Sequence, residues 1–138
     1  MILLDTNVLS ELMRLSPNKK VIQNVNKFSA NNTFISAITY AEILQGIALL
    51  DDEKRKQNLK KVAGQILELF DNNTLAFDKQ SAPFYANIIQ QRTQLGRPID
   101  YPDAQISAIA LQYDLQLFTR NVRDFEKIES LRLVNPWE

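Results

Sequence analysis

Short apolar runs alternate along the chain with apolar positions at helical spacing. The first run, residues 2–4, ends at Asp5, and apolar residues then recur every three or four positions over 8–13. An uninterrupted apolar run that leads directly into an amphipathic helix is typical of a buried strand in a parallel sheet. The pattern predicts strands at 2–4, 34–36, 74–77, 115–118 and 133–134, and helices at about 8–15, 21–28, 39–50, 52–70, 79–95 and 100–113. This alternation predicts an α/β fold with a mainly parallel central sheet flanked by helices.

No linker, internal repeat or low-complexity segment interrupts the pattern, so residues 1–138 are predicted to form one domain. No apolar stretch approaches the roughly 20 residues that span a bilayer. Asp5 also interrupts the apolar start that a signal peptide would need. The expectation is therefore a cytoplasmic protein that does not enter a membrane.

The composition restricts the chemistry to oxygen groups and basic groups. The chain contains no cysteine and no histidine, which excludes disulfides, Ser-His-Asp triads, thiolate nucleophiles and zinc sites built on those residues. Its three glycines, Gly46, Gly64 and Gly96, are too dispersed for a phosphate-binding loop or a dinucleotide fingerprint. Oxygen ligands are the type that Mg²⁺ and Mn²⁺ prefer. Because 16 basic residues balance 16 acidic ones, a nucleic-acid site would require local segregation of charge.

Three acids occupy positions that share one edge of a parallel sheet. Asp5 ends the first strand, Glu42 is predicted in the first turn of the helix after the second strand, and Asp103 in the first turn of the helix before strand 115–118. Ligands bind beyond the carboxyl ends of the strands in such sheets. Several carboxylates in one pocket repel one another, so they tend to retain protons or bind a divalent cation. A bound cation activates water and stabilises a reacting phosphodiester, which points to metal-dependent cleavage of a nucleic-acid backbone.

Each acid also has a structural explanation. Thr39 and Glu42 have the spacing of a capping box, in which Glu42 would bond only to the start of its own helix. Asp103 would only complement the dipole of its helix, with Asp100 as the cap. Asp5 is harder to explain in this way, because aspartate is depleted in strands and is costly at a buried strand end without partners.

A fourth polar locus follows strand 115–118. Thr119 and Asn121 come directly after the strand, and Asp124 lies just beyond them. Asn121 would otherwise shape a turn, and Asp124 would be an ordinary cap or surface acid. Four arginines lie near these acids in the sequence, namely Arg92, Arg97, Arg120 and Arg123. For each of them, phosphate binding and a structural role are both open.

Five stretches distributed over the chain resemble one protein family. They are MILLDTNVLSEL at 1–12, FISAITYAEILQGI at 34–47, DAQISAIAL at 103–111, TRNVRDF at 119–125 and NPW at 135–137. Together they resemble the PIN-domain family and, within it, the VapC-type ribonuclease toxins of the FitB-like branch. The resemblance implies a three-layer α/β/α fold and an endoribonuclease that depends on Mg²⁺ or Mn²⁺.

The resemblance also assigns roles to individual residues. The acidic residues of the family carry over to Asp5, Glu42 and Asp103. Thr6 and Asn7 match the small polar pair after the first acid, and Thr119 matches a hydroxyl that supports the acidic pocket. The family's fourth acidic position falls at Asn121, whose amide oxygen can bind a metal or water but brings no charge. Asp124 could compensate for it, or the site operates with three carboxylates.

Proteins of this kind are the toxins of type II toxin–antitoxin systems. The resemblance implies a homodimer, silencing by a small VapB-like antitoxin that inserts a peptide into the acidic pocket, and DNA binding only through the antitoxin in a higher assembly. The helices at 8–15 and 42–50 would serve dimerisation by analogy. Two other functions stay open: a non-catalytic interaction module with a degenerate site, suggested by Asn121, and a metal-dependent phosphatase, which would normally carry a second acid close to Asp5.

Overall fold

The computed structural model describes all 138 residues. The strands are β1 (Ile2–Leu4), β2 (Thr33–Ser36), β3 (Thr74–Leu75), β4 (Gln116–Phe118) and β5 (Leu133–Val134). The α-helices are α1 (Thr6–Leu12), α2 (Lys19–Val25), α3 (Ala37–Ala48), α4 (Glu53–Leu69), α5 (Ala82–Gln94), α6 (Tyr101–Gln112) and α7 (Val122–Phe125). The five strands form one sheet in the order β3-β2-β1-β4-β5, and every neighbouring pair is parallel. The predicted α/β fold with a parallel central sheet is confirmed.

The central strand β1 separates two hydrophobic layers. Ile2 and Leu4 are fully buried in a cluster that includes residues of α1, α2, α3 and α4. Leu3 points to the opposite face, where it packs with residues of α6, β4 and α7. Because strand side chains alternate between faces, a strand that is covered on both sides needs apolar residues at every position. The run Ile2–Leu4 is therefore the middle layer of a three-layer α/β/α arrangement.

The strand order creates a crevice at one edge of the sheet. Leu3 pairs with Phe34 of β2 on one side and with Leu117 of β4 on the other. From β1 the chain proceeds to β2 and β3 in one direction, whereas β4 and β5 lie in the other direction. Such a reversal leaves a crevice beyond the carboxyl ends of the two strands involved, which is where open α/β sheets bind ligands. In this chain those ends are Asp5 and Thr119.

Two helix starts differ from the prediction because polar residues cap them earlier. α1 begins at Thr6, since the Asp5 side chain accepts a hydrogen bond from the Thr6 backbone nitrogen at 2.8 Å, and it ends at Leu12. α3 begins at Ala37, since Ser36 Oγ accepts from the Thr39 nitrogen at 3.0 Å. The predicted capping box is therefore wrong, because Ser36 rather than Thr39 is the cap. Glu42 lies beyond the first turn and takes no part in capping.

The region after β3 also differs in detail. The strand is only two residues long and ends at Leu75. The helix predicted at about 79–95 begins later, at Ala82 after Ser81, and Asp78 lies before it without capping it. Instead, Asp78 Oδ1 accepts hydrogen bonds from the backbone nitrogens of Gln80 and Ser81 at 3.0 and 3.3 Å, and so forms a turn before the helix. Aspartate commonly binds the backbone two or three residues ahead in this way, and sequence spacing does not distinguish such a turn from a helix cap.

None of the helices combines the length and the apolar composition that a membrane-spanning segment requires.

Candidate functional site at the carboxyl ends of the central strands

Asp5 lies at the centre of the crevice with only 5% of its surface exposed. Its Oδ2 accepts hydrogen bonds from Thr119 Oγ1 at 2.8 Å and from Asn7 Nδ2 at 3.0 Å. Its backbone nitrogen donates to the Phe118 carbonyl oxygen at 2.9 Å, which continues the β1–β4 pairing to the edge of the sheet. Burial is the main cause that raises the pKa of Asp5, and the charge of Glu42 adds to it, while the bonds from Thr119, Thr6 and Asn7 act in the opposite direction.

Glu42 faces the same crevice from α3. Thr6 Oγ1 lies 2.7 Å from Glu42 Oε1 and 3.1 Å from the hydroxyl of Thr39, which is fully buried. Thr6 therefore connects the first turn of α1 to α3 and orients the glutamate. Glu42 Oε2 makes no hydrogen bond, so one carboxylate oxygen of this residue is free for a ligand.

Asp103 enters the crevice from the first turn of α6. The pKa of Asp103 is raised to about 7, first by burial and then by the negative charges of Asp5, Asp124, Asp100 and Glu42. The side chain of Asp100, which was predicted to cap α6, makes no capping bond. Burial and the surrounding negative charge therefore both favour the protonated form of the Asp103 carboxyl group.

The fourth corner of the site consists of Thr119, Asn121 and Asp124. Thr119 is fully buried, and its hydroxyl also accepts a hydrogen bond from the Asn121 backbone nitrogen at 3.0 Å. The Asn121 side chain is exposed and forms no hydrogen bond. Asp124 is exposed in the first turn of α7, and its charge reaches Asp103. Asp124 therefore adds negative charge near Asp103 from the same segment that carries Asn121.

Two of the four nearby arginines have structural roles. Arg92 is 4% exposed, and its guanidinium donates to the backbone carbonyls of Arg97, Asp124 and Glu126 at 2.7, 2.8 and 3.2 Å. It thereby joins α5 to the segment around α7. Arg97 forms an ion pair with Glu126 at 3.6 Å and donates to the Arg123 carbonyl. These contacts occupy both guanidinium groups within the protein, which argues against their binding phosphate.

The oxygen donors of the crevice fit a hard divalent cation. Asp5 and Asp103 offer carboxylates and Asn121 offers an amide oxygen. The pKa of Asp103 is raised by burial and by neighbouring negative charge, and a bound cation would offset that charge. No three acidic side chains are gathered closely enough to bind one ion by themselves. Mg²⁺ commonly retains several waters and takes only one or two protein carboxylates, so it does not require three acids in one cluster.

The contacts of Thr39 and the influence of Asp100 were not anticipated from the sequence. Thr39 was predicted to cap a helix, yet its hydroxyl lies against Thr6 in the site. Asp100 was predicted to be a cap and instead raises the pKa of Asp103. The close spacing of Asp100 and Asp103 at the start of one helix was the available indication, since like charges there affect each other's protonation.

Comparison with known proteins identifies the family. The model of the PIN domain matches residues 2–131, and the chain therefore belongs to the PIN-domain family. The toxin FitB of Neisseria gonorrhoeae is 38% identical over 99% of this chain and 99% of its own length. The VapC ribonuclease Y4jK of Sinorhizobium fredii is 32% identical over 100% of this chain and 99% of its own length. The resemblance seen in the sequence is thus confirmed.

A solved structure agrees with this classification. The structure of FitAB bound to an IR36 DNA fragment superposes with a TM-score of 0.91 at 37% identity, covering 100% of this chain and 96% of that one. The similarity extends over the whole sheet and all of the elements that position the acidic crevice.

Proposed function

We propose that this protein is the toxin of a type II toxin–antitoxin system and acts as an endoribonuclease that depends on Mg²⁺ or Mn²⁺. The observation that carries the proposal is the convergence of Asp5, Glu42 and Asp103 at the topological switch point, with the pKa of Asp103 raised to about 7. Relatives that are named as a toxin and as a ribonuclease, and that align over nearly the whole chain, support it.

In the proposed site, Asp5 and Asp103 hold the cation, and Glu42, Asn121 and Asp124 contribute directly or through water. A divalent cation supplies, when bound, an activated water and a positive charge opposite the reacting phosphodiester. Thr119 and Asn7 keep the Asp5 carboxylate in place through Oδ2. Thr6 holds Glu42 Oε1, which leaves Glu42 Oε2 to accept a proton from the attacking water.

The proposed partners follow from the same family relationship. RNA is the substrate, and a small VapB-like antitoxin silences the enzyme by inserting a peptide into the crevice. A groove of about 270 Å³ between α1, α3 and α4 begins at Thr6 and Glu42 and continues over Met13, Ile43 and Leu50. Its polar start and apolar continuation suit an amphipathic peptide whose basic residue reaches the carboxylates. The toxin would form a homodimer and would meet DNA only through the antitoxin.

Cleavage of a labelled RNA with Mg²⁺ or Mn²⁺, compared with the same reaction in EDTA, tests the proposed activity. Asp5→Asn should abolish cleavage and growth arrest while leaving the circular dichroism spectrum unchanged, because asparagine also caps helices well. Asp71→Asn is the matched control, since Asp71 is an exposed acid outside the crevice. Cleavage by Asp5→Asn at the wild-type rate, or cleavage in EDTA after removal of trace metal, would contradict the proposal.

A non-catalytic interaction module is the second candidate. It is favoured by the absence of three closely gathered carboxylates and by the neutral residue at Asn121. Isothermal titration with Mn²⁺ separates the two functions. Binding that disappears in Asp103→Asn supports the nuclease, whereas the absence of carboxylate-dependent binding supports the module.

A further inference from the structure

Arg120 lies directly beside the acidic crevice and is tied to it through its backbone. It follows Thr119, whose hydroxyl bonds to Asp5 at 2.8 Å. The Arg120 backbone nitrogen donates to Asn7 Oδ1 at 3.1 Å, and Asn7 Nδ2 donates in turn to Asp5 at 3.0 Å. The position of the Arg120 backbone is therefore fixed by the same side chains that fix the central carboxylate.

The guanidinium of Arg120 is held by stacking rather than by hydrogen bonds. Its Cζ lies 5.0 Å from the centroid of the Trp137 ring, a distance at which a cation is attracted to the face of an aromatic ring. The side chain is exposed and forms no ion pair and no hydrogen bond with any acceptor in the protein. The contact with Trp137 thus orients the planar group and leaves all five of its N–H donors free.

Trp137 is itself anchored. Its ring packs against the hydrophobic cluster on the α1–α4 side of the sheet. The Trp137 backbone nitrogen donates to Asn135 Oδ1 at 3.0 Å, and Asn24 Nδ2 on α2 donates to the neighbouring Pro136 carbonyl at 2.8 Å. The stacking surface under Arg120 therefore has a defined position relative to the sheet.

The positive charge of Arg120 forms no ion pair within the protein. It contributes least among the causes that lower the pKa of Glu11, whose carboxylate already accepts from the Asn18 nitrogen at 2.9 Å and from Arg14 at 3.3 Å. Arg123 is also exposed and without a partner, but no aromatic ring orients it. Arg120 is thus an oriented, unpaired cation whose backbone borders the acidic crevice.

We propose that Arg120 binds a phosphate of the RNA next to the one that is cleaved, and that Trp137 is a positioning residue for its guanidinium. This inference rests on the proposed nuclease function. A polyanion that approaches a cluster of carboxylates meets repulsion, so binding requires a cation beside the cluster. The planar guanidinium matches two phosphate oxygens at once, which a lysine does not reproduce.

Binding of a fluorescein-labelled single-stranded RNA, followed by anisotropy in EDTA over a range of KCl concentrations, tests the inference without cleavage. Arg120→Gln should weaken binding about tenfold and reduce the slope of log K against log salt by about 0.7, the value for one phosphate contact on a single strand. With metal present, the KM should rise while kcat stays within about twofold. Arg55→Gln is the matched control, because Arg55 is an exposed, unpaired arginine on α4.

Substitution of the ring adds a second measurement. Trp137→Leu should weaken binding about two- to fivefold, as expected for loss of an exposed cation–π contact, and Trp137→Phe should retain most of the affinity if the fold is intact by circular dichroism. Equal affinity and equal salt slope for Arg120→Gln and the wild type would overturn the inference, as would equal losses in Arg120→Gln and Arg55→Gln. A wild type that neither binds nor cleaves RNA would instead overturn the proposed nuclease function.

Discussion

Asp5 and Glu11 are two carboxylates at opposite ends of the same helix segment, and their pKa values are shifted in opposite directions. They are 5% and 7% exposed. The pKa of Glu11 is lowered, chiefly because its carboxylate accepts a hydrogen bond from the Asn18 backbone nitrogen and also contacts Arg14. The pKa of Asp5 is raised, chiefly by burial, and its neighbours are hydroxyls, an amide and another acid. Burial alone therefore does not distinguish a structural acid from a functional one.

The distinguishing property is whether the surroundings compensate the charge. Glu11 accepts hydrogen bonds from the Arg14 guanidinium and from the Asn18 backbone nitrogen. It therefore joins the end of α1 to the start of α2, and its charge is compensated within the protein. Asp5 and Asp103 have no cation among the main influences on their pKa values, and the charge of Asp5 raises the pKa of Asp103. A pocket with an uncompensated charge is in the state that a bound cation would stabilise.

The largest expected contrast between the two acids is in catalysis. Asp5→Asn should reduce RNA cleavage by about 10³-fold or more, because it removes a proposed metal ligand, whereas Glu11→Gln should cleave within about twofold of the wild type. Initial rates with a labelled RNA at saturating Mg²⁺ measure both. If Glu11→Gln lost as much activity as Asp5→Asn, charge compensation would not separate functional from structural acids in this protein.

Removal of the hydroxyl that supports Asp5 should have the next largest effect. Thr119→Val deletes the 2.8 Å bond to Asp5 Oδ2, and loss of such a supporting contact typically reduces metal affinity or activity about 10- to 100-fold. Because this bond lowers the pKa of Asp5, the acidic limb of the pH–rate profile should also move to higher pH. Thr93→Val, at an exposed position on α5, serves as the control. An unchanged rate and pH profile for Thr119→Val would show that Thr119 does not tune Asp5.

The pH dependence of stability should reveal the uncompensated charge of Asp103. Its folded pKa of about 7 lies above its usual value of 3.8, so the folded state binds more protons than the unfolded state between these two values. The free energy of unfolding should therefore decrease as the pH rises from about 4 to about 7. Allowing for partial exposure, we expect a decrease of about 2 kcal/mol.

Urea denaturation at a series of pH values in EDTA measures this decrease in the free energy of unfolding. Asp103→Asn should remove the part of the decrease that Asp103 contributes and be more stable than the wild type above pH 7, while Glu129→Gln, an exposed acid, should keep the full decrease. A wild-type profile that rises over the same pH range in parallel with Asp103→Asn would contradict the assignment of a raised pKa.

The smallest effect is expected for substitution of Glu11. The contribution of Glu11 to the free energy of unfolding changes with pH in the opposite direction to that of Asp103. Glu11→Gln should lower the free energy of unfolding at pH 7 by about 1 kcal/mol, because the contacts to a charged acceptor are weakened. Since the folded pKa of Glu11 is lowered, this stabilisation is present above the usual value of 4.5 and disappears as the pH falls through the folded pKa. Thermal melts of the wild type and Glu11→Gln at pH 7 and pH 3 should therefore diverge at the higher pH only.

Local periodicity predicted the order and type of the elements well, but not every helix boundary. The buried run Ile2–Leu4 and the apolar stripes of α4 and α6 are visible in the sequence, because alternation and helical spacing are properties of neighbouring residues. Helix starts were less predictable, since Ser36 and Thr39 are both acceptable caps and only the backbone decides which one bonds. Because of the same ambiguity, both a capping role and a site role were open for Glu42, and in the structure its carboxylate bonds to Thr6 instead of capping α3.

The candidate site acids could be selected from the sequence, whereas the shifts of their pKa values could not. Asp5 was conspicuous because an aspartate rarely ends a buried strand, and the lack of histidine and cysteine restricted its chemistry to oxygen ligands. The four arginines could not be separated by sequence. Arg92 proved to be buried and bonded to backbone carbonyls, and Arg120 proved to be stacked on Trp137.

The sequence by itself determined the α/β alternation, the acid at the end of β1 and the exclusion of histidine and cysteine chemistry. Only the tertiary structure decided that Thr119 bonds to Asp5 across 114 positions, that Asp103 has a pKa of about 7, and that Glu11 is compensated. The physical reason is that periodicity and capping act between near neighbours in the chain. Hydrogen-bond partners and charge neighbours depend instead on strand order, which brings the ends of β1 and β4 together and makes burial and like charge act on the same carboxylates.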